Sequence, residues 1–140
     1  DATMLPATIH KAFIAKQKNK PLVVWGDGKP KRDYVFVNDV RDIYMWALRN
    51  YSDEKLINVG SSKYYSIKEI VYLICKHIGV DKKKIIFDKT KPQSVISRRV
   101  DTSYLKSLYK NKFTDLEYGI KITSIWFEKN FKKKNLKSKS

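Results

Sequence analysis

A single α/β domain of mixed α+β type is what this 140-residue chain predicts, and three observations predict it. Short β-branched and aromatic runs at Leu22–Trp25, Tyr34–Val37, Leu56–Gly60 and Lys84–Asp88 interleave with apolar residues at helical spacing. No stretch repeats at a fixed period, so a solenoid is excluded. With 42% hydrophobic residues the chain can bury one ordinary core and is too short for two full domains.

The first helix is expected over Pro6 to Lys16. Small or apolar residues fall at Pro6, Ile9, Ala12 and Phe13, charges at Lys11 and Lys16, and a proline suits the first turn. After the polar turn Gln17 to Lys20, Leu22–Trp25 reads as a strand, Gly26 and Gly28 permit a sharp turn, and Tyr34–Val37 reads as a second strand. Asn38 or Asp39 is placed to cap a helix with Val40, Ile43, Tyr44, Ala47 and Leu48 on one face, ending near Asn50. Leu56–Gly60 then reads as a buried central strand feeding a turn.

Ser66-Ile-Lys-Glu69 is a capping box, in which the serine hydroxyl and the glutamate carboxylate each satisfy a backbone N–H of the other residue. The helix it opens carries the stripe Ile67, Ile70, Val71, Ile74 and Ile78, and Gly79 is suited to end it. Lys84–Asp88 is a strand, Lys89 to Ser97 a loop, and Arg98 to Asp101 extended, before Asp101 or Thr102 caps a brief helix through Tyr109. Thr114-Asp-Leu-Glu117 reads as a second capping box, with Leu116, Ile120, Thr123, Phe127 and Phe131 along the last helix. The domain is expected to span residues 1–131, and the Lys-rich run 132–140 to be a disordered tail.

Thirty Lys and Arg against fourteen Asp and Glu give a formal charge of +16, which admits nucleic acid, an anionic membrane or a phosphorylated small molecule as partner. Much of the excess sits in Lys82-Lys83-Lys84 and at the C-terminus, and lysine outnumbers arginine, which fits a solvated surface better than a groove for bidentate phosphate contacts. Cys75 is the lone cysteine. An intrachain disulfide and a cysteine-based metal site are excluded, a reducing cytoplasm is the expected compartment, and a buried inert thiol is the expected role. No apolar run approaches the roughly 20 residues that span a bilayer, so no membrane association is expected.

Groups that move protons or electrons are scarce. His10 and His77 are the only histidines, and two isolated histidines make no metal site; His77, near a helix end, is expected to interact with helix carbonyls. Neither Gly26-Asp-Gly28 nor Gly60-Ser-Ser supplies the Gly-x-Gly-x-x-Gly turn that brings a backbone up to a pyrophosphate. No catalytic residue is assigned, and no dinucleotide is expected to be bound by this chain alone.

The block Trp25-Gly-Asp-Gly-Lys-Pro-Lys-Arg32-Asp-Tyr-Val-Phe-Val-Asn-Asp39-Val concentrates the remaining signal. It lifts Arg32 to a strand edge, where a guanidinium can pair in bidentate fashion with a diphosphate, while Trp25 offers a flat face to a base or sugar. The same residues also read as a plain hairpin with a solvated arginine.

That block resembles the C-terminal half of the extended short-chain dehydrogenase/reductases acting on nucleotide sugars, and within them the GDP-L-fucose synthases. Met4-Leu-Pro-Ala7, Ile57-Asn-Val-Gly60, Tyr65-Ser-Ile-Lys-Glu69, Phe87-Asp-Lys-Thr-Lys-Pro92, Arg98-Arg-Val-Asp101, Thr114-Asp-Leu-Glu-Tyr-Gly-Ile-Lys121 and Trp126-Phe-Glu-Lys-Asn130 extend the likeness in order over residues 4 to 131. The resemblance implies the C-terminal part of an extended fold lacking most of its Rossmann domain, a chain inactive by itself, and a missing N-terminal half that binds NADP and carries the Ser, Tyr and Lys of hydride transfer. It also implies that Lys11, Trp25, Arg32 and Arg98 contact the nucleotide-diphosphate part of the substrate, with Arg99 as the alternative to its strand neighbour Arg98. Thr3 stands where the resemblance expects an acidic histidine, and a threonine hydroxyl does not titrate near neutrality.

The leading expectation is the substrate-binding portion of an NADP-dependent epimerase/reductase acting on a GDP-4-keto-6-deoxy sugar, its parent enzyme homodimeric. The alternative is a stand-alone basic module that binds nucleic acid or another polyanion through its lysine runs, with tyrosines as stacking partners. Nucleic acid is the less favoured partner, because the tyrosines fall at core-like spacings and the lysines at segment ends.

Overall fold

The computed structural model describes residues 3–92, 95–97 and 99–137, with the side chains of 132–137 left aside. Among the described residues five α-helices, a short 3-10 turn and two two-stranded sheets give the mixed α/β architecture expected of the chain. Helix α1 (Met4–Gln17) leads into strand β1 (Leu22–Trp25), which pairs in parallel with β4 (Ile85–Asp88) in the register Leu22 to Ile85 and Trp25 to Asp88. Strand β2 (Lys31–Asp33) pairs antiparallel with β3 (Tyr64–Ser66), placing Arg32 opposite Tyr65. Helix α2 (Val37–Asn50) lies between β2 and β3, helix α3 (Ile67–Ile78) between β3 and β4, and α4 (Ser103–Leu108) and α5 (Leu116–Lys137) follow.

The core is a helical layer against the β1–β4 pair. Ile9, Ala12 and Ala15 of α1, the stripe Ile67, Ile70, Val71, Ile74, Cys75 and Ile78 of α3, and Ile120 of α5 close on Leu22 and Val24. Complete burial of a side chain such as Ile70 contributes roughly 1.5–3 kcal/mol. Phe13 meets Phe127 and Phe131 edge to face, with centroids 5.8 and 5.2 Å apart, and the Lys16 ammonium donates to the Ile78 carbonyl at 2.7 Å, joining the ends of α1 and α3.

Helix α3 forms as its sequence predicts. The Glu69 N–H donates to the Ser66 hydroxyl at 3.2 Å, the Ser66 N–H donates to the Glu69 carboxylate at 2.6 Å, and Gly79 ends the helix at φ +85°. Cys75 is buried, and desolvation pushes its thiol up to about 11, as suits an inert core residue.

Several expectations are corrected. Tyr34–Val37 is not a strand: β2 ends at Asp33 and α2 begins at Val37, so the aromatic residues between serve as a connection. No hairpin forms either, since β1 and β2 belong to different sheets. Neither Asn38 nor Asp39 caps α2, whose N-cap is Phe36; the Asp39 carboxylate is engaged by Thr114 instead. Of the expected α2 face only Ile43 is buried, and Tyr44 and Leu48 face solvent. Leu56–Gly60 forms no strand and pairs with none among the described residues. At α5, Asp115 rather than Thr114 accepts from the first-turn amides, 2.9 Å from the Glu117 N–H. The expected tail 132–140 is not among these corrections: its backbone is helical to Lys137, and residues 138–140 lie outside the described residues.

Candidate functional site

One face of α1 supplies the first wall of a cleft of about 260 Å3. Met4, Ala7, Thr8 and Lys11 recur at i, i+3, i+4 and i+7, so a single helical face carries all four toward it. Strand β1 with the exposed indole of Trp25 at its end, the guanidinium of Arg32 on β2, Gly28 and Pro30 of the intervening loop, Ile67 at the start of α3, and Pro92 complete the lining.

The loop between β1 and β2 is fixed from both sides. Gly26 N–H donates to the Asp88 carbonyl at 2.8 Å, Ile67 N–H to Pro30 at 2.9 Å, and Lys68 N–H to Gly28 at 2.9 Å. Gly28 lies at φ +76°, and a Cβ there would come within 2.8 Å of the Phe87 ring and 2.9 Å of Lys68 Cβ, so glycine is required for both conformation and space.

Three of the four residues that the family resemblance implies as substrate contacts meet in this cleft: Lys11, Trp25 and Arg32. The Lys11 ammonium lies over the Trp25 ring, 5.6 Å from its centroid. Arg32 Nη1 donates to the Lys31 carbonyl at 2.6 Å. Two cations and an aromatic face on one concave surface suit an anion joined to a flat ring. Arg98 lies outside the described residues. Its chain neighbourhood runs beside β2, since Ser97 bridges Lys31 and the Lys31 N–H donates to the Ile96 carbonyl at 2.8 Å. Arg99 lies over the Tyr64 ring at 5.5 Å, away from the cleft lining.

Sequence reasoning missed Met4, Ala7, Thr8 and Pro92 as lining residues. The helical spacing of the first three with Lys11 was the available signal, whereas Pro92 arrives by a loop whose path no local pattern fixes.

Thr3 opens on a second cleft of about 300 Å3, shared with Tyr34, Phe36, Val37, Thr114 and the first turns of α5. Its side chain makes no cap bond to α1, although it occupies the N-cap position. Burial pushes the Tyr34 hydroxyl above its usual range, the Arg32 charge acting in the opposite sense. Both histidines serve structure. His10 packs on Phe127 and Phe131, and His77 Nε2 lies 3.3 Å from the Glu117 carboxylate rather than on helix carbonyls. Among the described residues no group of His, Cys, Asp or Glu is arranged to hold a metal ion, and no helix is long and apolar enough to cross a membrane.

Comparison with known proteins gives this cleft its context. Residues 1–60 match the NAD dependent epimerase/dehydratase family. The chain is 35% identical over 118 residues to a GDP-L-fucose synthase of Sinorhizobium fredii, covering 84% of this chain and 37% of the relative. It is 31% identical over 134 residues to the GDP-L-fucose synthase of Dictyostelium discoideum, covering 94% and 42%. Among solved structures, a GDP-L-fucose synthetase from Naegleria fowleri superposes with TM-score 0.88 at 26% identity, over 94% of this chain and 40% of that one. A GDP-mannoheptose C4 reductase from Campylobacter jejuni with NADP bound superposes with TM-score 0.77 at 26% identity, over 91% and 45%. This chain thus spans about two fifths of the length of these relatives. With likeness in sequence, fold and order of elements, the chain belongs to the NAD dependent epimerase/dehydratase family and carries part of its extended short-chain dehydrogenase/reductase fold.

Proposed function

We propose that this chain is the substrate-binding portion of an NADP-dependent nucleotide-sugar epimerase or 4-ketoreductase, and that its cleft holds the nucleotide diphosphate of a GDP-sugar. The observation that carries the reading is the convergence of Lys11, Trp25 and Arg32 on one concave surface. Lys11 and Arg32 supply positive charge for the pyrophosphate, Trp25 supplies a stacking face, and Arg98 adds a third cation. At about 260 Å3 the cleft falls below the roughly 300–1,000 Å3 of small-molecule sites, as suits one wall of a site completed by further protein. NADP would be held by that further protein, which also carries the catalytic groups, so this chain alone would be inactive; a homodimeric parent belongs to the same reading.

The test is a titration of Trp25 fluorescence with GDP, UDP and inorganic pyrophosphate at fixed salt. GDP is expected to change the emission at lower concentration than the other two, with the change lost in Trp25→Phe and the affinity lowered about 10–100-fold in Arg32→Ala. An equal response to all three ligands, or none, would sink the reading. Binding of an oligonucleotide that weakens steeply with salt would favour the polyanion module.

Thr3 bears on the reaction. Without an imidazole at this position the parent enzyme would reduce a 4-keto sugar without epimerising it, because no side chain there can deliver a proton near neutrality. Solvent deuterium entering C3 and C5 of the substrate at catalytic rates would contradict this.

A further inference from the structure

Ser62 lies at φ +62°, in the left-handed region that a serine rarely enters and that persists only where the surroundings hold it. The bonds that hold it converge from three segments. Its N–H donates to one oxygen of the Asp33 carboxylate at 2.9 Å, the other oxygen accepts from the Ser61 hydroxyl, and the Ser62 hydroxyl pairs with that of Thr102. Thr102 is 4% exposed and stands at the N-cap position of α4, yet makes no cap bond to that helix, its hydroxyl being engaged by Ser62. Gly60 closes the group: a Cβ there would come within 2.8 Å of the Asp33 carboxylate and 3.0 Å of the Thr102 methyl.

This group adjoins Arg32. Strand β2 is three residues long, and both neighbours of Arg32 in it are anchored. On one side the Lys31 N–H donates to the Ile96 carbonyl at 2.8 Å and Lys31 bridges Ser97. On the other side Asp33 holds Ser61 and Ser62. Successive strand residues point to opposite faces, so an Asp33 directed at residues 61 and 62 leaves Arg32 directed away from them. Arg32 lines the cleft, whereas Asp33, Ser62 and Thr102 do not.

We propose that Asp33, Ser62 and Thr102 form a clasp that positions Arg32 for a diphosphate. The proposal rests on the nucleotide reading above and adds the residues that set the direction of its guanidinium. None of the three touches the ligand, so all are positioning residues. Ser62 keeps its strained conformation because its N–H and its hydroxyl there engage Asp33 and Thr102 together. A glycine would adopt the same φ without strain but would bring no hydroxyl to Thr102.

The experiment separates positioning from stability in the 140-residue chain. The double variant Ser62→Gly/Thr102→Val relieves the strain and removes both hydroxyls, leaving neither unpaired, so its thermal midpoint is expected to stay within about 3 °C of the unsubstituted chain. Its affinity for GDP and inorganic pyrophosphate, read at Trp25, is expected to fall roughly 5–10-fold, with guanosine unaffected. In an Arg32→Ala background the same double variant is expected to cause no further loss, because the clasp acts through Arg32. Thr102→Ser, which keeps the hydroxyl, is expected to retain full affinity. An affinity that the double variant leaves unchanged, an equal loss for guanosine, or a loss that persists in full with Arg32→Ala would each overturn the proposal. So would a midpoint lowered by more than about 10 °C, which would assign the clasp to stability instead. No response of the unsubstituted chain to GDP or pyrophosphate sinks the nucleotide reading and the clasp together, whereas a response that the double variant keeps in full sinks the clasp alone.

Discussion

The Asp39 carboxylate accepts two hydrogen bonds from Thr114, from the backbone N–H at 2.8 Å and from the hydroxyl at 2.7 Å, across 75 positions of sequence. This pair ties the first turn of α2 to the residues that open α5. Asp39→Ala removes both bonds and leaves a partly buried amide without its acceptor, whereas Thr114→Val removes the hydroxyl bond alone. Asp39→Ala is expected to cost about 1–3 kcal/mol and Thr114→Val about 1 kcal/mol in urea unfolding, and an equal cost would show that the backbone bond contributes nothing.

Gly28 and Gly79 both adopt positive φ but differ in the space around them. Beside Gly28 a methyl group meets Phe87 and Lys68 Cβ at under 3 Å, whereas beside Gly79 the nearest atom is the Lys16 ammonium, the far end of a flexible side chain, at 3.3 Å. Gly79→Ala is expected to cost about 1 kcal/mol from backbone conformation, and Gly28→Ala roughly 2–4 kcal/mol with distortion of the cleft as well. Thermal melts of the two variants give the order directly.

The Ser66 bonds hold the Glu69 carboxyl below its usual range, side-chain bond first and backbone bond second, with burial opposing. A depressed folded value means that the capping box stabilises α3 in full above the unfolded value near 4.5 and loses that contribution as pH falls through the lower folded value. Ser66→Ala is expected to lower stability by about 1 kcal/mol at pH 7. The stability difference between the protein and Glu69→Gln should shrink steadily below pH 4.5; a difference that stays constant down to pH 3 would mean that the charge is not involved.

Cys75 is buried with its thiol pushed up to about 11. At pH 8 iodoacetamide is expected to leave the folded chain unmodified for hours and to alkylate it within minutes in denaturant. Rapid labelling of the folded protein, followed by mass spectrometry, would reveal local opening of α3.

What the sequence disclosed follows the range of the interactions involved. Helix α3 was legible end to end because Ser66, Glu69 and Gly79 act within a few residues of one another. Strands β1 and β4 were legible because both are short apolar runs that find each other. The Tyr34–Val37 run has strand chemistry, yet strand identity depends on a partner, and the partner β3 takes its register with Lys31–Asp33. Leu56–Gly60 has the same character, and no strand pairs with it among the described residues. At the cleft, Trp25 and Arg32 stand out by residue type and Lys11 through the family resemblance, whereas Thr8 and Pro92 become neighbours of the cleft through the fold alone.

The tethering of the loop from Gly26 to Pro30, to β4 on one side and to the first turn of α3 on the other, has a kinetic consequence. Ordering a free loop costs about 1–2 kcal/mol per residue, and here that entropy is lost when the chain folds rather than when a ligand arrives. A ligand entering between Trp25 and Arg32 therefore has only side-chain rotamers to select, and its association should follow a single exponential whose rate rises linearly with concentration. The same backbone bonds fix the spacing of the strand ends that carry Trp25 and Arg32 before any ligand arrives.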